Sequence, residues 1–266
     1  KELGEWVLQE SCRQAAEWPI ELRVAINVSA IQFARADFPD TVKRVIKQAG
    51  IASERVELEI TESVFMGEPD EVQRVFKRLK AMGVRLALDD FGTGYSSLSY
   101  LRNAPFDKIK IDQSFVFGSP ETGNNNSAII AAIVSLAEAL GMETVAEGIH
   151  TKDELELVKM RRATHLQGSI FSLSISQEQL LEQLEAGQLV YEPRGPDKYR
   201  SERRTEFRLQ RRACRVAFQV DAAGGRQALA PADVVIEEQP QPQQPARAQA
   251  LHVRQHEAQR VDDVRG

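Results

Sequence analysis

The regular alternation of short apolar strands with helical segments is the feature that most constrains this fold. Strand patterns rich in Val, Ile and Leu are each followed by a helix pattern. Such β-then-α alternation with buried strands indicates a parallel sheet. The predicted strands are residues 22–29, 55–61, 84–88, 106–112, 143–147 and 165–168. The predicted helices are residues 39–48, 69–82, 127–140, 151–160 and 176–184, with a shorter helix starting near residue 96.

Polar residues at the strand ends distinguish a closed barrel from an open doubly wound sheet. In a (β/α) barrel the C-terminal strand ends converge on one mouth, whereas an open sheet spreads them along a crevice. Nearly every predicted strand ends in a group that can bind a metal or a phosphate. We therefore predict an α/β fold of the TIM-like (β/α)-barrel type. The strand-end residues are Asn27, Glu59, Asp89, Asp90, Lys110, Asp112, Glu147 and Gln167.

The extent of the alternation predicts a barrel that is incomplete at its N-terminus. A complete eight-stranded barrel needs about 250 residues. The pattern here stops near residue 188, and the chain opens within a helical pattern without a Met start. We predict a barrel domain over residues 1–187, a linker with a basic segment over 188–208, and a low-complexity, disordered tail over 209–266.

The stretch Val84-Arg-Leu-Ala-Leu-Asp-Asp-Phe-Gly-Thr-Gly94 ends a buried strand in two adjacent carboxylates. Asp89 and Asp90 repel each other and are costly to desolvate unless a cation neutralises them. A solvated turn is the alternative, because Asp and Gly are common turn residues. Carboxylates at the same level of neighbouring strands favour a divalent-metal site over the turn.

Period-two alternation predicts which side chains face the inside of the barrel. Glu59 on the second strand and Lys110 on the fourth would face the mouth, with Glu62 in the loop just above. A buried lysine is costly unless it meets acids or phosphate. Several carboxylates with the Asn27 amide oxygen form an all-oxygen site suited to Mg²⁺ or Mn²⁺. Two such metals with a lysine suit phosphodiester hydrolysis.

Composition and missing motifs exclude several other classes of function. The net charge of -5 gives no reason to expect a nucleic-acid polymer as partner. No apolar run is long enough to span a bilayer. The cysteines, Cys12 and Cys214, lie in dissimilar contexts, which predicts a reducing compartment. Neither a Walker-type glycine loop nor a Gly-x-Ser-x-Gly elbow occurs in the sequence.

The chain resembles the EAL-domain family over residues 1–187, in motifs that follow the family's order. The resemblance implies a (β/α) barrel that hydrolyses cyclic di-GMP to linear pGpG with Mg²⁺ or Mn²⁺. An intracellular nucleotide substrate and the lack of an export signal predict a cytoplasmic protein. The motifs are Ile26-Asn-Val-Ser29, Glu57-Leu-Glu-Ile-Thr-Glu-Ser63, Asp89-Asp-Phe-Gly-Thr-Gly-Tyr-Ser-Ser97, Lys110-Ile-Asp112, Val145-Ala-Glu-Gly148 and Gln167-Gly168.

The same resemblance implies roles for the metal-binding and catalytic residues. Lys110 would contact the attacking water or the phosphate, and Glu147 would be the second catalytic residue. The ligands of one metal would be Asn27, Glu59 and Asp89. The ligands of the second metal would be Asp89, Asp90 and Glu147.

Three further residues have implied roles around the metals. Glu62 would anchor the loop that follows Asp90, which in this family lies near a dimer contact, so we expect a homodimer. Gln167 and Asp112 would line the substrate pocket.

The chain also departs from the family's pattern. The family's Glu-Ala-Leu signature, which would supply another metal ligand, should lie upstream of Lys1 and is therefore missing from its expected place. We therefore expect these residues alone to be inactive or unstable. Ala146-Glu-Gly-Ile-His150 replaces Ala-Glu-Gly-Val-Glu, and Ala163-Thr-His-Leu-Gln-Gly-Ser169 replaces Cys-Asp-x-x-Gln-Gly-Tyr. The alternative function is a degenerate, non-catalytic domain that senses cyclic di-GMP or binds a partner protein.

The basic segment has a second interpretation. Arg200-Ser-Glu-Arg-Arg204 resembles the Arg-x-x-x-Arg opening of PilZ domains, which bind cyclic di-GMP. A solvated charged linker is the interpretation that we favour, because no partner motif follows. An abrupt change of composition near Leu209 is consistent with a frameshift that replaced such a domain.

Overall fold

A computed structural model describes residues 2–19, 22–94, 98–121, 123–187, 191–196, 214–220 and 233–238. Between residues 22 and 187, strands and helices alternate as the sequence predicts. The strands are β1 (Val24–Val28), β2 (Val56–Thr61), β3 (Arg85–Phe91), β4 (Lys108–Ile111), β5 (Glu143–Ala146), β6 (His165–Gln167), β7 (Cys214–Val220) and β8 (Asp233–Glu238). The helices are α1 (Glu2–Ala16), α2 (Ala30–Phe33), α3 (Phe38–Ala49), α4 (Pro69–Ala81), α5 (Leu98–Asn103), α6 (Gln113–Val116), α7 (Asn126–Leu140), α8 (Lys152–Met160) and α9 (Gln177–Glu185). Among the helices described, none is both long and apolar enough to cross a membrane.

The strands β1 to β6 lie side by side in chain order, and each neighbouring pair is parallel. This arrangement confirms the predicted (β/α)-barrel class. The remaining strands β7 and β8 pair antiparallel with each other. They join β1 to β6 and close the barrel. Closure removes the two unpaired strand edges that β1 and β6 would otherwise present.

Two segments of the predicted disordered tail are therefore strands in the structure. The tail contains an apolar run at residues 230–236, which overlaps β8, whereas the sequence predicts no strand at Cys214–Val220. The reason is that neither segment is followed by a helix pattern, so the β-then-α alternation did not include them. The rest of residues 209–266, and the basic motif at 200–204, lie outside the described residues.

Local capping signals explain where several helices begin and end. Thr151 and Glu154 form a capping box at the start of α8, in which each side chain accepts a hydrogen bond from the other residue's backbone N–H. Pro69 occupies the first turn of α4, where its missing N–H costs little. Gly141 ends α7 in the left-handed conformation, with φ of 71°, which glycine adopts without strain.

Four phenylalanines pack the helices against the loops of the barrel. Phe76 on α4 is fully buried, and its ring centroid lies 4.8 Å from that of Phe33 and 5.3 Å from that of Phe106. Phe65, in the short 3₁₀ turn Glu62–Met66, lies 6.2 Å from Phe76. These tilted and edge-on arrangements are favourable for aromatic rings. The cluster therefore joins α2 and α4 to the turn that carries Glu62.

We predict that Phe76→Ala lowers the free energy of unfolding by about 3–5 kcal/mol, because the substitution leaves a cavity among three other rings. Urea denaturation followed by circular dichroism measures this change. Phe117→Ala is the matched control, since the Phe117 side chain is 57% exposed. The control should change stability by less than about 0.5 kcal/mol. Equal losses in the two variants would contradict the packing described here.

Candidate functional site

The candidate site lies at the mouth where the parallel strands end. Adjacent strands are in register there, because Asn27 pairs with Glu59 and Thr61 pairs with Asp89. Glu147 follows β5 directly, and its backbone N–H donates to the carbonyl oxygen of Ile111 at 3.2 Å. The C-terminal ends of parallel strands share one edge of a barrel. This edge brings four of the predicted site residues into contact, namely Glu59, Asp89, Lys110 and Glu147.

A fully buried ammonium group connects these residues. The Lys110 Nζ atom lies 2.9 Å from Glu59 Oε2, 2.9 Å from Asp89 Oδ1 and 2.7 Å from Glu147 Oε1. The Lys110 side chain is only 1% exposed. Burial disfavours its charged form, but the three carboxylates outweigh burial and hold the pKa of Lys110 well above its usual range. Lys110 is therefore a permanent cation of the site.

The Lys110 side chain extends across strand β3, and the β3 residue beside Glu59 has a small side chain. Strand β3 lies between β2 and β4, so the Lys110 side chain crosses β3 to meet Glu59. The β3 residue paired with Glu59 is Ala87, which is fully buried. By alternation Ala87 shares the inner face of β3 with Asp89. A larger side chain there would occupy space that the lysine needs.

The two adjacent aspartates reach the same site because the backbone of β3 is irregular at its end. Regular alternation would direct Asp89 and Asp90 to opposite faces. Asp90 instead has φ of 54°, in the left-handed region, and the register between β3 and β4 shifts between Leu88 and Phe91. Such irregularities re-aim side chains, and they cluster at functional sites. Asp89, Asp90 and Glu147 can each supply a carboxylate oxygen, and these atoms lie within 4.8 Å of one another.

Burial and mutual repulsion raise the pKa values of Glu59, Glu147 and Asp90. Burial raises the pKa of Glu59 to about 8, opposed by Lys110 and reinforced by the charges of Asp89 and Glu147. Burial likewise raises the pKa of Glu147 to about 7, with Asp89 adding to the shift and Lys110 opposing it. The pKa of Asp90 is raised by desolvation and then by the neighbouring Asp89. One lysine therefore does not neutralise the cluster.

A second layer of charges lies below the site on the same strands, and sequence analysis missed it. Lys108 Nζ lies 2.8 Å from Glu57 Oε1, and Arg85 Nε lies 3.3 Å from Glu57 Oε2. Arg85 also pairs with Glu143 at 2.5 Å. Burial opposes ionisation of Glu57, yet Lys108 and Arg85 hold its pKa below the usual range. Period-two alternation places Glu57 on the same face as Glu59, and Lys108 on the same face as Lys110. The same pattern could therefore have predicted this second layer of charges.

Glu62 holds the loop that follows the two aspartates. The Gly92 backbone N–H donates to Glu62 Oε1 at 2.8 Å. The other oxygen, Oε2, is buried and has no hydrogen-bond partner among the described residues. A Cβ atom on Gly94 would lie 2.4 Å from Oε2, so a side chain at that position would require the Glu62 carboxylate to move. This contact is consistent with the predicted anchoring role of Glu62.

The remaining predicted residues lie around the same mouth. Asn27 is half-buried on β1 beside Glu59, and Gln167 is buried at the end of β6. The Asp112 carboxylate accepts a hydrogen bond from the Ser114 backbone N–H at 2.9 Å and so caps α6. This capping role was not foreseen, and substrate contact by Asp112 stays a prediction.

The donor set of the acidic cluster fits a hard divalent cation. Asp89, Asp90 and Glu147 offer only carboxylate oxygens, which suit Mg²⁺, Mn²⁺ or Ca²⁺ better than a softer metal. Three carboxylates contact the single Lys110 ammonium, so acidic groups are in excess at this point. A divalent cation would supply the missing positive charge.

We predict that Mn²⁺ binds more tightly as the pH rises from about 5 to about 8, because bound metal must displace protons from carboxyl groups with raised pKa values. Isothermal titration calorimetry in buffers of different ionisation enthalpy measures both the affinity and the protons released. Glu147→Gln should weaken binding and flatten its pH dependence. Glu156→Gln, at an exposed position on α8, should behave as wild type. An affinity that does not change with pH would contradict the prediction.

Relatives with related architecture include proteins named for cyclic di-GMP. The chain is 38% identical over 184 residues to the bifunctional diguanylate cyclase/cyclic di-GMP phosphodiesterase MucR of Pseudomonas aeruginosa, an alignment that covers 68% of this chain and 27% of MucR. The solved complex of the MucR phosphodiesterase with cyclic di-GMP matches 68% of this chain and 74% of that chain, with a TM-score of 0.64 and 38% identity.

A second solved structure contains both a metal and the nucleotide. The manganese and cyclic di-GMP complex of Klebsiella pneumoniae BlrP1 matches 65% of this chain and 44% of that chain, with a TM-score of 0.60 and 30% identity. The chain spans 20% to 27% of the length of three curated relatives that it matches. Residues 1–174 match the EAL domain family. This chain therefore belongs to the EAL domain family.

Proposed function

We propose that this domain hydrolyses cyclic di-GMP to linear pGpG in a metal-dependent reaction. The observation that carries the proposal is the Lys110 ammonium group in contact with three carboxylates, two of which also belong to the acidic cluster. Phosphodiester hydrolysis needs both a cation binding site and a fixed positive charge near the phosphate. The similar MucR and BlrP1 structures contain cyclic di-GMP, which supports the choice of substrate.

The carboxylates divide into two proposed ligand groups for Mg²⁺ or Mn²⁺. Asn27, Glu59 and Asp89 would hold one ion. Asp89, Asp90 and Glu147 would hold the other, in agreement with the close approach of their oxygen atoms. Bound divalent ions supply Lewis acidity, which lowers the pKa of a bound water and stabilises charge on the phosphate oxygens.

The protein's own groups would orient the substrate and move protons. Lys110 stays protonated, because its pKa is raised by the surrounding carboxylates, and its charge offsets the charge that develops on the phosphate. The pKa of Glu147 is about 7 without a metal, so Glu147 would give up its proton when it binds the ion near neutral pH. Both groups lie at the barrel mouth, where an attacking water would need them.

The substrate side of the site would be formed by the loops after β4 and β6. Gln167 lies buried at the end of β6, and we propose that its amide contacts the nucleotide. Asp112 would contribute from the start of α6. We further propose that the domain acts as a homodimer in the cytoplasm, where its nucleotide substrate is found.

We predict that Lys110→Met and Glu59→Ala each lower the rate constant for cyclic di-GMP hydrolysis by about 10²–10³-fold, because each removes a charge that the reaction needs. The assay follows pGpG by chromatography in the presence of Mg²⁺ or Mn²⁺. It uses residues 1–266 and the same chain with an N-terminal extension that supplies the family's Glu-Ala-Leu segment. Chelation of the metal should abolish turnover by the extended chain, and residues 1–266 alone should be inactive.

Lys77→Met is the matched control, because Lys77 is exposed on α4, away from the strand ends. This variant should hydrolyse cyclic di-GMP at the wild-type rate. Binding of cyclic di-GMP without turnover by the extended chain would contradict the enzymatic proposal. It would instead support the non-catalytic sensor alternative.

A further inference from the structure

Residues 191–196 return to the mouth of the barrel after α9, although the sequence predicted a linker there. We call this segment, Tyr191-Glu-Pro-Arg-Gly-Pro196, the strap. At its start, the Tyr191 hydroxyl bonds the Gln183 side chain on α9. Further along, the Arg194 backbone N–H donates to the Ile170 carbonyl oxygen at 2.6 Å. At its end, the Pro196 carbonyl oxygen accepts from the Lys152 N–H at 3.3 Å.

The strap contacts two loops that each follow a predicted site residue. Ile149 follows Glu147 by two positions, and Ile170 follows Gln167 by three. The Ile149 N–H donates to the Gln167 carbonyl oxygen at 3.0 Å, and the Ile170 N–H donates to the Ile149 carbonyl oxygen at 3.1 Å. A Cβ atom on Gly168 would lie 2.2 Å from the Ile149 carbonyl oxygen, so the backbones are in direct contact. The strap is therefore a third segment that contacts two loops, which are already hydrogen-bonded to each other.

Side chains in these loops add a second connection. His150 Nδ1 lies 2.6 Å from Ser169 Oγ, so two of the positions at which the chain departs from the family's pattern contact each other. The buried Glu154 carboxylate accepts from the His150 and Thr151 backbone N–H groups, both at 3.0 Å. Glu154 of α8 thus holds the backbone of the loop after β5, which the strap also contacts.

Glycine at position 195 allows the strap to approach this closely. A Cβ atom there would lie 2.8 Å from the His150 carbonyl oxygen and 3.1 Å from Ile170 Cγ1. The φ of Gly195 lies outside the left-handed region, so alanine can adopt the same backbone. Substitution at Gly195 consequently changes the contact between strap and loops without adding backbone strain.

We propose that the strap is a positioning segment of the active site, which holds the loop carrying Gln167 against the loop carrying Glu147. The proposal deepens the proposed function and rests on it for the identity of the nucleotide. Glu147 itself is anchored to β4 through the Ile111 carbonyl oxygen. The strap therefore acts mainly on the Gln167 side, where the nucleotide would bind, and only weakly on the metal ligands.

The test compares Gly195→Ala with Gly67→Ala in the full chain. Gly67 also has φ outside the left-handed region, but a Cβ atom there meets its nearest neighbour at an ordinary 3.4 Å. Hydrogen–deuterium exchange of the Ile149 and Ile170 amides reports on the bonds between the loops. We expect Gly195→Ala to speed this exchange roughly tenfold, the effect of losing about one hydrogen bond. Gly67→Ala should exchange as wild type.

Binding measurements separate a positioning role from a merely structural one. Gly195→Ala should raise the dissociation constant of cyclic di-GMP roughly tenfold, because small displacements of a binding group are costly. The dissociation constant of Mn²⁺ should stay at its wild-type value. Equal weakening of both ligands, or faster exchange with unchanged nucleotide affinity, would overturn the proposal.

A second variant covers the case in which Gly195→Ala does not fold, as judged by circular dichroism. Arg194→Pro removes the N–H that bonds Ile170, whereas Arg194→Ala keeps it and changes only an exposed side chain. The proline variant alone should show faster exchange at Ile170. Unchanged exchange in both Arg194→Pro and a folded Gly195→Ala would refute the strap's role. Failure of the wild type with the N-terminal extension to bind cyclic di-GMP would refute the proposed function instead. The exchange data would still decide whether the strap positions the two loops.

Discussion

The contact of the buried Lys110 ammonium with three carboxylates is the interaction on which the rest of the site depends. It joins β2, β3, β4 and the end of β5 at one point. One positive charge is too little for this cluster, so burial and repulsion raise the pKa values of Glu59 and Glu147 to about 8 and about 7. The raised pKa values favour protonated acids when no metal is bound, and a divalent cation would supply positive charge at the same place. The same imbalance therefore explains the perturbed pKa values and the fit to a hard metal.

The layer of charges below the site provides an internal comparison. There two acids, Glu57 and Glu143, face two bases, Arg85 and Lys108, so the charges balance. The pKa of Glu57 is accordingly held low, although Glu57 is as buried as Glu59. Burial of charge by itself thus does not create a metal site. An excess of acid over base creates one, and on these strands that excess lies at the mouth.

Loops outside the strands complete the site by controlling where backbone groups lie. The left-handed conformation of Asp90 turns its carboxylate toward Asp89 and Glu147. Glu62 then holds the following loop through the Gly92 N–H. On the other side of the mouth, the loops after β5 and β6 bond each other, and the strap contacts both. The strands of the barrel carry most of the charged side chains, and these loop contacts fix the positions of the groups around them.

The sequence by itself determined the order of strands and helices, the barrel class and the identity of most strand-end ligands. These properties follow from apolar runs and period-two alternation, which are local. Only the tertiary structure decided the partners of Glu57 and Lys108, which are 51 residues apart, and the docking of residues 191–196. It also decided the strands of the predicted tail and the shared direction of Asp89 and Asp90. Each of these depends on register between distant segments or on one unusual dihedral angle, and a local pattern specifies neither.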